Sequence, residues 1–153
     1  SRGSFIELLR TQRASGVITL THEKMTRFWI TIERVMDIVL QSLQVMKGGE
    51  IFVPKMKNLP VADVIKLLTP ECKVETIGIR PGEKLHEVLI TEYEAPRTKD
   101  IGFAFAIKPE FTFGSNRTAW LDKKPSAEKD FIYASDNPMY RLSPKEAAKI
   151  LTF

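Results

Sequence analysis

One stretch with helical periodicity, residues 32–46, constrains the fold of this chain more than any other feature. Thr31 can cap the start of a helix there, and Gly48-Gly49 is a typical helix end. Between these signals, apolar residues recur at steps of three and four: Ile32, Val35, Met36, Val39, Leu40 and Leu43. We therefore predict an amphipathic helix over residues 32–46, with one apolar face.

Shorter patterns on either side of this helix alternate between helix and strand. We predict further helices over 5–11, 61–68, 83–90 and 144–150, the last of which starts with a Ser-Pro-Lys-Glu capping pattern. We predict strands or extended segments over 17–20, 25–31, 50–53, 73–79, 101–107 and 131–133. Residues 55–58 and 108–130 are predicted loops, and the second is unusually long for a compact domain. These patterns indicate an α/β fold.

Size and composition exclude several classes of protein. The 153 residues suffice for one domain with a core, and a net charge of +4 that is dispersed along the chain does not indicate nucleic-acid binding. The single cysteine, Cys72, excludes an internal disulfide and is expected to be a passive thiol. No apolar run reaches the roughly 18 residues of a membrane span, so we expect a soluble, cytoplasmic protein.

A Pro-Gly turn carries the clearest candidate for ligand binding. Arg80 precedes Pro81-Gly82, and this pair favours a tight turn because Pro presets φ and Gly tolerates a positive φ. If a helix begins at Glu83, its free amides and Arg80 together form an anion site. A solvated arginine in front of a capped helix is the alternative.

A second arginine makes the anion hypothesis more specific, whereas candidates for catalysis are few. Arg27 and Arg80 could grip a pyrophosphate, and Glu83 could accept hydrogen bonds from ribose hydroxyls. A structural salt bridge between Glu83 and either arginine explains the same residues. His22 and His86 belong to no zinc motif, and the sequence contains no glycine-rich phosphate loop, so we predict no metal site and no catalytic residue.

Four segments, in this order, resemble one enzyme family. They are Ser-Arg-Gly-Ser at 1–4, Met-Thr-Arg-Phe-Trp-Ile-Thr at 25–31, Gly-Gly-Glu-Ile-Phe-Val-Pro-Lys at 48–55, and Ile-Gly-Ile-Arg-Pro-Gly-Glu-Lys-Leu-His-Glu at 77–87. Together they resemble the C-terminal half of the UDP-N-acetylglucosamine 4,6-dehydratases (inverting). These are extended short-chain dehydrogenase/reductases of flagellin-glycan and capsule biosynthesis. Residues 133–137 (Tyr-Ala-Ser-Asp-Asn) also resemble a family run, but the chain departs from the family after Asn137.

The resemblance implies a fold and a function. It implies the C-terminal part of a Rossmann-type enzyme, with residues 1–153 forming one substrate-binding region and elements within 1–56 packing on an absent dinucleotide-binding half. The intact enzyme would use NADP, would act on a UDP-sugar, and would be a homo-oligomer. The implied substrate-binding residues are Arg2, Ser4, Thr19, Met25, Arg27, Arg80 and Glu83.

The resemblance also suggests an explanation for the first residues. The family's phosphate loop, its Asp-Lys pair and its Tyr-x-x-x-Lys motif are absent from this sequence, so we expect a fragment without activity of its own. A tag remnant is the other explanation for the Ser-Arg-Gly-Ser start. A UDP-sugar-binding module without catalysis and a related UDP-sugar epimerase remain the alternative functions.

Overall fold

A computed structural model describes residues 5–111 and 117–151 of the chain. Its helices are α1 Phe5–Arg13, α2 Ile32–Val45, α3 Val61–Leu68 and α4 Pro144–Ile150. Its strands are β1 Val17–Leu20, β2 Thr26–Trp29, β3 Ile51–Pro54, β4 Lys57–Pro60, β5 Lys73–Thr76, β6 Val88–Ile90, β7 Thr98–Asp100, β8 Ala104–Ile107 and β9 Tyr133–Ala134. Short 3-10 helices span Ala95–Arg97, Ala119–Lys123 and Pro138–Tyr140. The predicted α/β class is confirmed.

The contacts divide the chain into two compact units. The first contains the described residues up to 29, then 57–87, then the described residues from 135 onwards. The second contains 30–56 and the described residues of 88–134. Whether residues 1–153 act as one substrate-binding region stays a prediction.

The first unit has two small sheets and an apolar core. β1 pairs with β5 in parallel, and β2 pairs with β4 antiparallel so that Arg27 lies opposite Leu59. Burial of apolar side chains drives this packing. The core includes the fully buried side chains of Leu9, Ile18, Val64 and Ile65. It therefore joins α1, β1 and α3.

The second unit is built on the three-stranded antiparallel sheet β3-β8-β7, beside the β6–β9 pair. All four residues of β8 are buried, as expected for the central strand of a sheet. α2 begins as predicted, because the Thr31 hydroxyl accepts a hydrogen bond from the Arg34 amide at 3.3 Å. Only Ile38 of α2 is buried. The apolar residues of its opposite face are exposed: Ile32, Met36, Val39, Leu40 and Leu43.

Three predicted element assignments were wrong. Glu83–Ile90 is not a helix: residues 83–87 have no helical structure, and 88–90 form β6 paired with β9. The predicted loop at 55–58 contains the start of β4, and the strand predicted from residue 101 begins only at Ala104. In the first two cases pairing with a distant strand, β9 or β2, overrode the local pattern, whereas residues 101–103 form the turn between β7 and β8. The helix 144–150 is confirmed with its capping box, since Ser143 accepts from the Glu146 amide and Glu146 accepts from the Ser143 amide.

Candidate nucleotide-binding site

The Pro81-Gly82 turn has the predicted geometry. Gly82 adopts a φ of +82°, and the Glu83 amide donates to the Arg80 carbonyl at 3.0 Å. A positive φ at the third residue of the turn, directly after the proline, is the signature of a type II turn, which favours glycine there. Because no helix follows, the predicted anion site at a helix start is wrong. Any anion site here must rely on side chains.

Arg80 carries a guanidinium group without a hydrogen-bond or ion-pair partner among the described residues. Its backbone amide points to the Glu83 carboxylate at 3.4 Å, whereas its side chain lines a cavity. A cationic side chain held on a tight turn, with its donors uncommitted, is suited to bind an anion.

Arg27, in contrast, is partly committed to the protein. Its Nη1 donates to the carbonyls of Thr26 at 2.7 Å and Leu85 at 3.2 Å, and its Nη2 donates to the Lys84 carbonyl at 2.9 Å. Its Nε lies 3.5 Å from the Glu87 carboxylate. Three of the five N–H donors of the guanidinium make hydrogen bonds and the Nε–H faces Glu87, so one Nη2 hydrogen remains available to a ligand.

Glu83 is held by a hydroxyl rather than by an arginine side chain. Its Oε1 accepts from the Thr21 hydroxyl at 3.2 Å. Within residues 5–111 and 117–151, neither Arg27 nor Arg80 forms an ion pair with Glu83, and Arg27 pairs with Glu87 instead. The Glu83 carboxylate can therefore accept further hydrogen bonds from a ligand.

Thr19 lies on β1, where the side-chain amide of Gln12 makes two hydrogen bonds to it. The Gln12 amide nitrogen donates to the Thr19 hydroxyl at 2.8 Å, and the Gln12 carbonyl oxygen accepts from the Thr19 backbone amide at 3.0 Å. This pair connects α1 to β1. It also orients the Thr19 side chain, which lines the same cavity as Arg80.

The structure brings five of the predicted substrate-binding residues to one cavity of about 370 Å³ in the first unit. They are Thr19, Met25, Arg27, Arg80 and Glu83. The other two, Arg2 and Ser4, lie outside the described residues. Apolar side chains complete the wall: Phe5, Leu8, Trp29, Val61 and Ile77. A mostly apolar cleft with a few convergent polar groups is typical of a small-molecule site.

Trp29 is a cavity residue that neither the motifs nor the family resemblance indicated. Its side chain lines the cavity, and its buried indole N–H has no hydrogen-bond partner within residues 5–111 and 117–151. The signal that could have found it is strand alternation, which places Trp29 on the same face of β2 as Arg27.

The described residues contain neither a cluster of metal ligands nor a helix that could span a membrane. No group of three or more His, Cys, Asp or Glu side chains there is arranged to hold a metal ion. No helix in the described part of the chain is long and apolar enough to cross a membrane.

Comparison with known proteins assigns the family. The model of a polysaccharide biosynthesis protein family matches residues 1–109. The chain belongs to this family. The chain is 35% identical to the UDP-N-acetylglucosamine 4,6-dehydratase (inverting) of Campylobacter jejuni, over 99% of its own length and 47% of that protein. It is 30% identical to a UDP-glucose 4-epimerase of Rickettsia canadensis, over 80% of its own length and 40% of that protein.

A solved structure supports the same assignment for this member of the polysaccharide biosynthesis family. The crystal structure of Pen from Bacillus thuringiensis superposes with a TM-score of 0.81 at 29% identity, covering 99% of this chain and 45% of that one. The chain thus spans about half the length of the relatives that it matches. Both comparisons fit part of a Rossmann-like short-chain dehydrogenase/reductase, within a family of nucleotide-sugar dehydratases and epimerases.

Proposed function

We propose that this chain binds the UDP part of a UDP-sugar, in the cavity of the first unit. The observation that carries the proposal is the uncommitted guanidinium of Arg80, which shares one cavity with Arg27 and Glu83. Two guanidinium groups match a pyrophosphate, which bears charge on several oxygens. The Glu83 carboxylate is a hydrogen-bond acceptor for ribose hydroxyls.

The remaining walls suit the base of such a ligand. Trp29, Ile77 and Leu8 present apolar surface, against which a planar base can pack. The cavity volume of about 370 Å³ lies within the range of roughly 300–1,000 Å³ that small-molecule sites occupy. Thr19 adds a hydroxyl, which Gln12 holds at 2.8 Å. We place the pyrophosphate at the arginines, the ribose at Glu83 and uracil on the apolar wall.

The test is calorimetric titration of the chain with UDP and with UDP-N-acetylglucosamine. Hydrogen bonds to a charged group contribute roughly 1.5–3 kcal/mol, so Arg80→Ala should weaken UDP binding by about 10- to 100-fold. Arg13→Ala is the matched control, because it removes the same charge from an exposed side chain of the same unit that pairs with Glu71. Equal affinities of Arg80→Ala and wild type would refute the proposed site.

Fluorescence gives a second, independent readout. The chain has two tryptophans, and Trp120 lies in the second unit, where its indole N–H donates to Glu50 at 3.0 Å. In a Trp120→Phe variant, Trp29 is the sole tryptophan and lines the proposed site. Saturable quenching by UDP in this variant, but not in Trp29→Phe, is the expected result.

For a whole protein that contains this chain, we propose an NADP-dependent UDP-N-acetylglucosamine 4,6-dehydratase, a lyase that inverts C5, located in the cytoplasm. The 35% identity to such an enzyme supports this proposal. The 30% identity to a UDP-glucose 4-epimerase supports a related epimerase as the second candidate. A nicotinamide cofactor is common to both enzyme classes. The two differ in product, since only a dehydratase releases water from the sugar.

We propose that the nicotinamide cofactor of the whole protein is not held by the described residues of this chain. None of the described glycines with positive φ lies between a strand and a following helix, where a dinucleotide-phosphate loop would be. We therefore expect no turnover when the chain alone is incubated with UDP-N-acetylglucosamine and NADP⁺ and the sugar is followed by NMR. Formation of a 4-keto-6-deoxy product would show that the chain carries catalysis itself.

A further inference from the structure

Three side chains from separate segments of the first unit meet in one hydrogen-bonded chain. The Thr26 hydroxyl lies 2.7 Å from Nδ1 of His86 and 2.7 Å from the Ser135 hydroxyl. Ser135 is fully buried, and Thr26 is 9% exposed. Buried hydroxyl groups at such distances make strong, ordered hydrogen bonds, because water does not compete for either partner.

Ser135 also forms hydrogen bonds with both the amide and the carbonyl of Glu87. Its hydroxyl accepts from the Glu87 amide at 2.8 Å, and its own amide donates to the Glu87 carbonyl at 2.8 Å. Two residues before Glu87, the Leu85 carbonyl accepts from the Thr26 amide at 3.1 Å. The segment 85–87 is thus connected to β2 on one side and to Ser135 on the other.

The chain of hydroxyls can close whichever nitrogen of His86 carries the proton. If Nδ1 is an acceptor, Thr26 donates to it and Ser135 donates to Thr26. If Nδ1 carries the proton, Thr26 accepts from it and donates to Ser135, whose own proton can turn to the Thr26 carbonyl at 3.2 Å. Every hydroxyl proton has an acceptor in both cases, so the connection does not depend on the tautomer.

The segment held in this way is the one that orients Arg27. The carbonyls of Lys84 and Leu85 and the carboxylate of Glu87 are three of the acceptors of its guanidinium. Arg80 and Glu83 lie immediately before these acceptors in the sequence. Thr26, His86 and Ser135 do not line the cavity themselves, so any effect they have on a ligand is indirect.

We propose that Thr26, Ser135 and His86 form a positioning network that holds residues 85–87, and with them the Leu85 and Glu87 acceptors of Arg27, in the geometry that binds the nucleotide. The inference rests on the proposed function of the cavity. It assigns a role to Ser135 in the Tyr-Ala-Ser-Asp-Asn run, 109 positions from Thr26. The network sets the positions of the Arg27 acceptors, and through them the orientation of the guanidinium that faces the ligand.

Thr26→Val tests the network because valine keeps the shape of threonine and removes its hydroxyl. We expect UDP affinity to fall by about ten-fold, the loss that one misplaced charged contact produces. Thr26→Ser retains the hydroxyl and should bind within about three-fold of wild type. The matched control is Thr98→Val in the second unit, where a fully buried threonine hydroxyl donates to the Glu94 carbonyl at 2.8 Å. This control should leave UDP affinity unchanged.

Hydrogen exchange gives a readout that does not require a ligand. In the free protein, Thr26→Val should speed exchange of the Glu87 and Ser135 amides, which bond to each other's residue, by ten-fold or more, whereas Thr98→Val and Thr26→Ser should not. If Thr26→Val does not fold, Ser135→Ala and His86→Leu replace it, with the same expectations. His86→Asn should restore protection and affinity, because an asparagine amide can take the place of Nδ1.

The outcomes separate the two proposals. If wild type binds UDP, Arg80→Ala weakens binding as expected, and Thr26→Val binds as tightly as wild type, the positioning network is refuted and the proposed function stands. If wild type does not bind UDP, the proposed function fails. Unchanged exchange of the Glu87 and Ser135 amides in Thr26→Val would then refute the anchoring as well.

Discussion

Tyr133→Phe should destabilise the protein through the loss of one atom. The Tyr133 hydroxyl accepts from the Met56 amide at 2.6 Å and donates to the Met56 carbonyl at 2.8 Å. The ring packs against Phe105 at 5.3 Å and Phe131 at 6.3 Å between centroids. Phenylalanine keeps these ring contacts, so the substitution isolates the two hydrogen bonds.

The magnitude follows from those two bonds. Each is worth about 1 kcal/mol net. Tyr133 is 1% exposed, but Met56 is only half-buried, so water can reach part of the freed backbone and no further penalty is added. We expect a loss of about 2 kcal/mol in the free energy of unfolding. That corresponds to a melting temperature about 4–8 °C lower and a urea midpoint about 1 M lower.

Urea unfolding followed by circular dichroism measures this change, with Tyr93→Phe as the control. Tyr93 also belongs to the second unit but is 81% exposed, so removal of its hydroxyl should change the free energy of unfolding by less than about 0.5 kcal/mol. If the two variants have the same stability, the Tyr133–Met56 hydrogen bonds do not contribute as inferred.

Three further predictions concern a helix cap, an exposed surface and an ion pair. Ser143→Ala removes the capping box of α4 and should cost about 1 kcal/mol, measured as a lower melting temperature. Leu43→Glu, on the exposed apolar face of α2, should reduce self-association of the chain in analytical ultracentrifugation, whereas Gln44→Glu, with the same charge change, should not. Burial raises the pKa of Asp100, but hydrogen bonds from Lys55 and the Gly102 amide lower it by more, so the pKa lies below its usual value. Wild type should therefore have a higher free energy of unfolding than Asp100→Asn at neutral pH, and this difference should disappear as the pH falls below about 4. A difference between the two proteins that does not change with pH would refute the inference.

Much of the local structure could be predicted because its causes are local. α2 begins after Thr31, and α4 begins after Ser143, since the capping side chain and the helix that it caps are adjacent in sequence. The Pro81-Gly82 turn depends only on the backbone preferences of these two residues, and its geometry is as predicted. The resemblance to a known family named five residues that the structure brings to one cavity. Their role in binding stays a prediction.

The amino-acid sequence by itself determined which segments could become helices and turns, because capping, periodicity and φ preference act over a few residues. Only the tertiary structure decided that residues 88–90 form a strand, because their hydrogen-bond partners lie in β9. It also decided that Arg27 is engaged by the carbonyls of residues 84 and 85 while Arg80 remains uncommitted. Such partners are separated by tens of residues, and whether a charged group is satisfied or free depends on which distant backbone atoms the fold brings beside it.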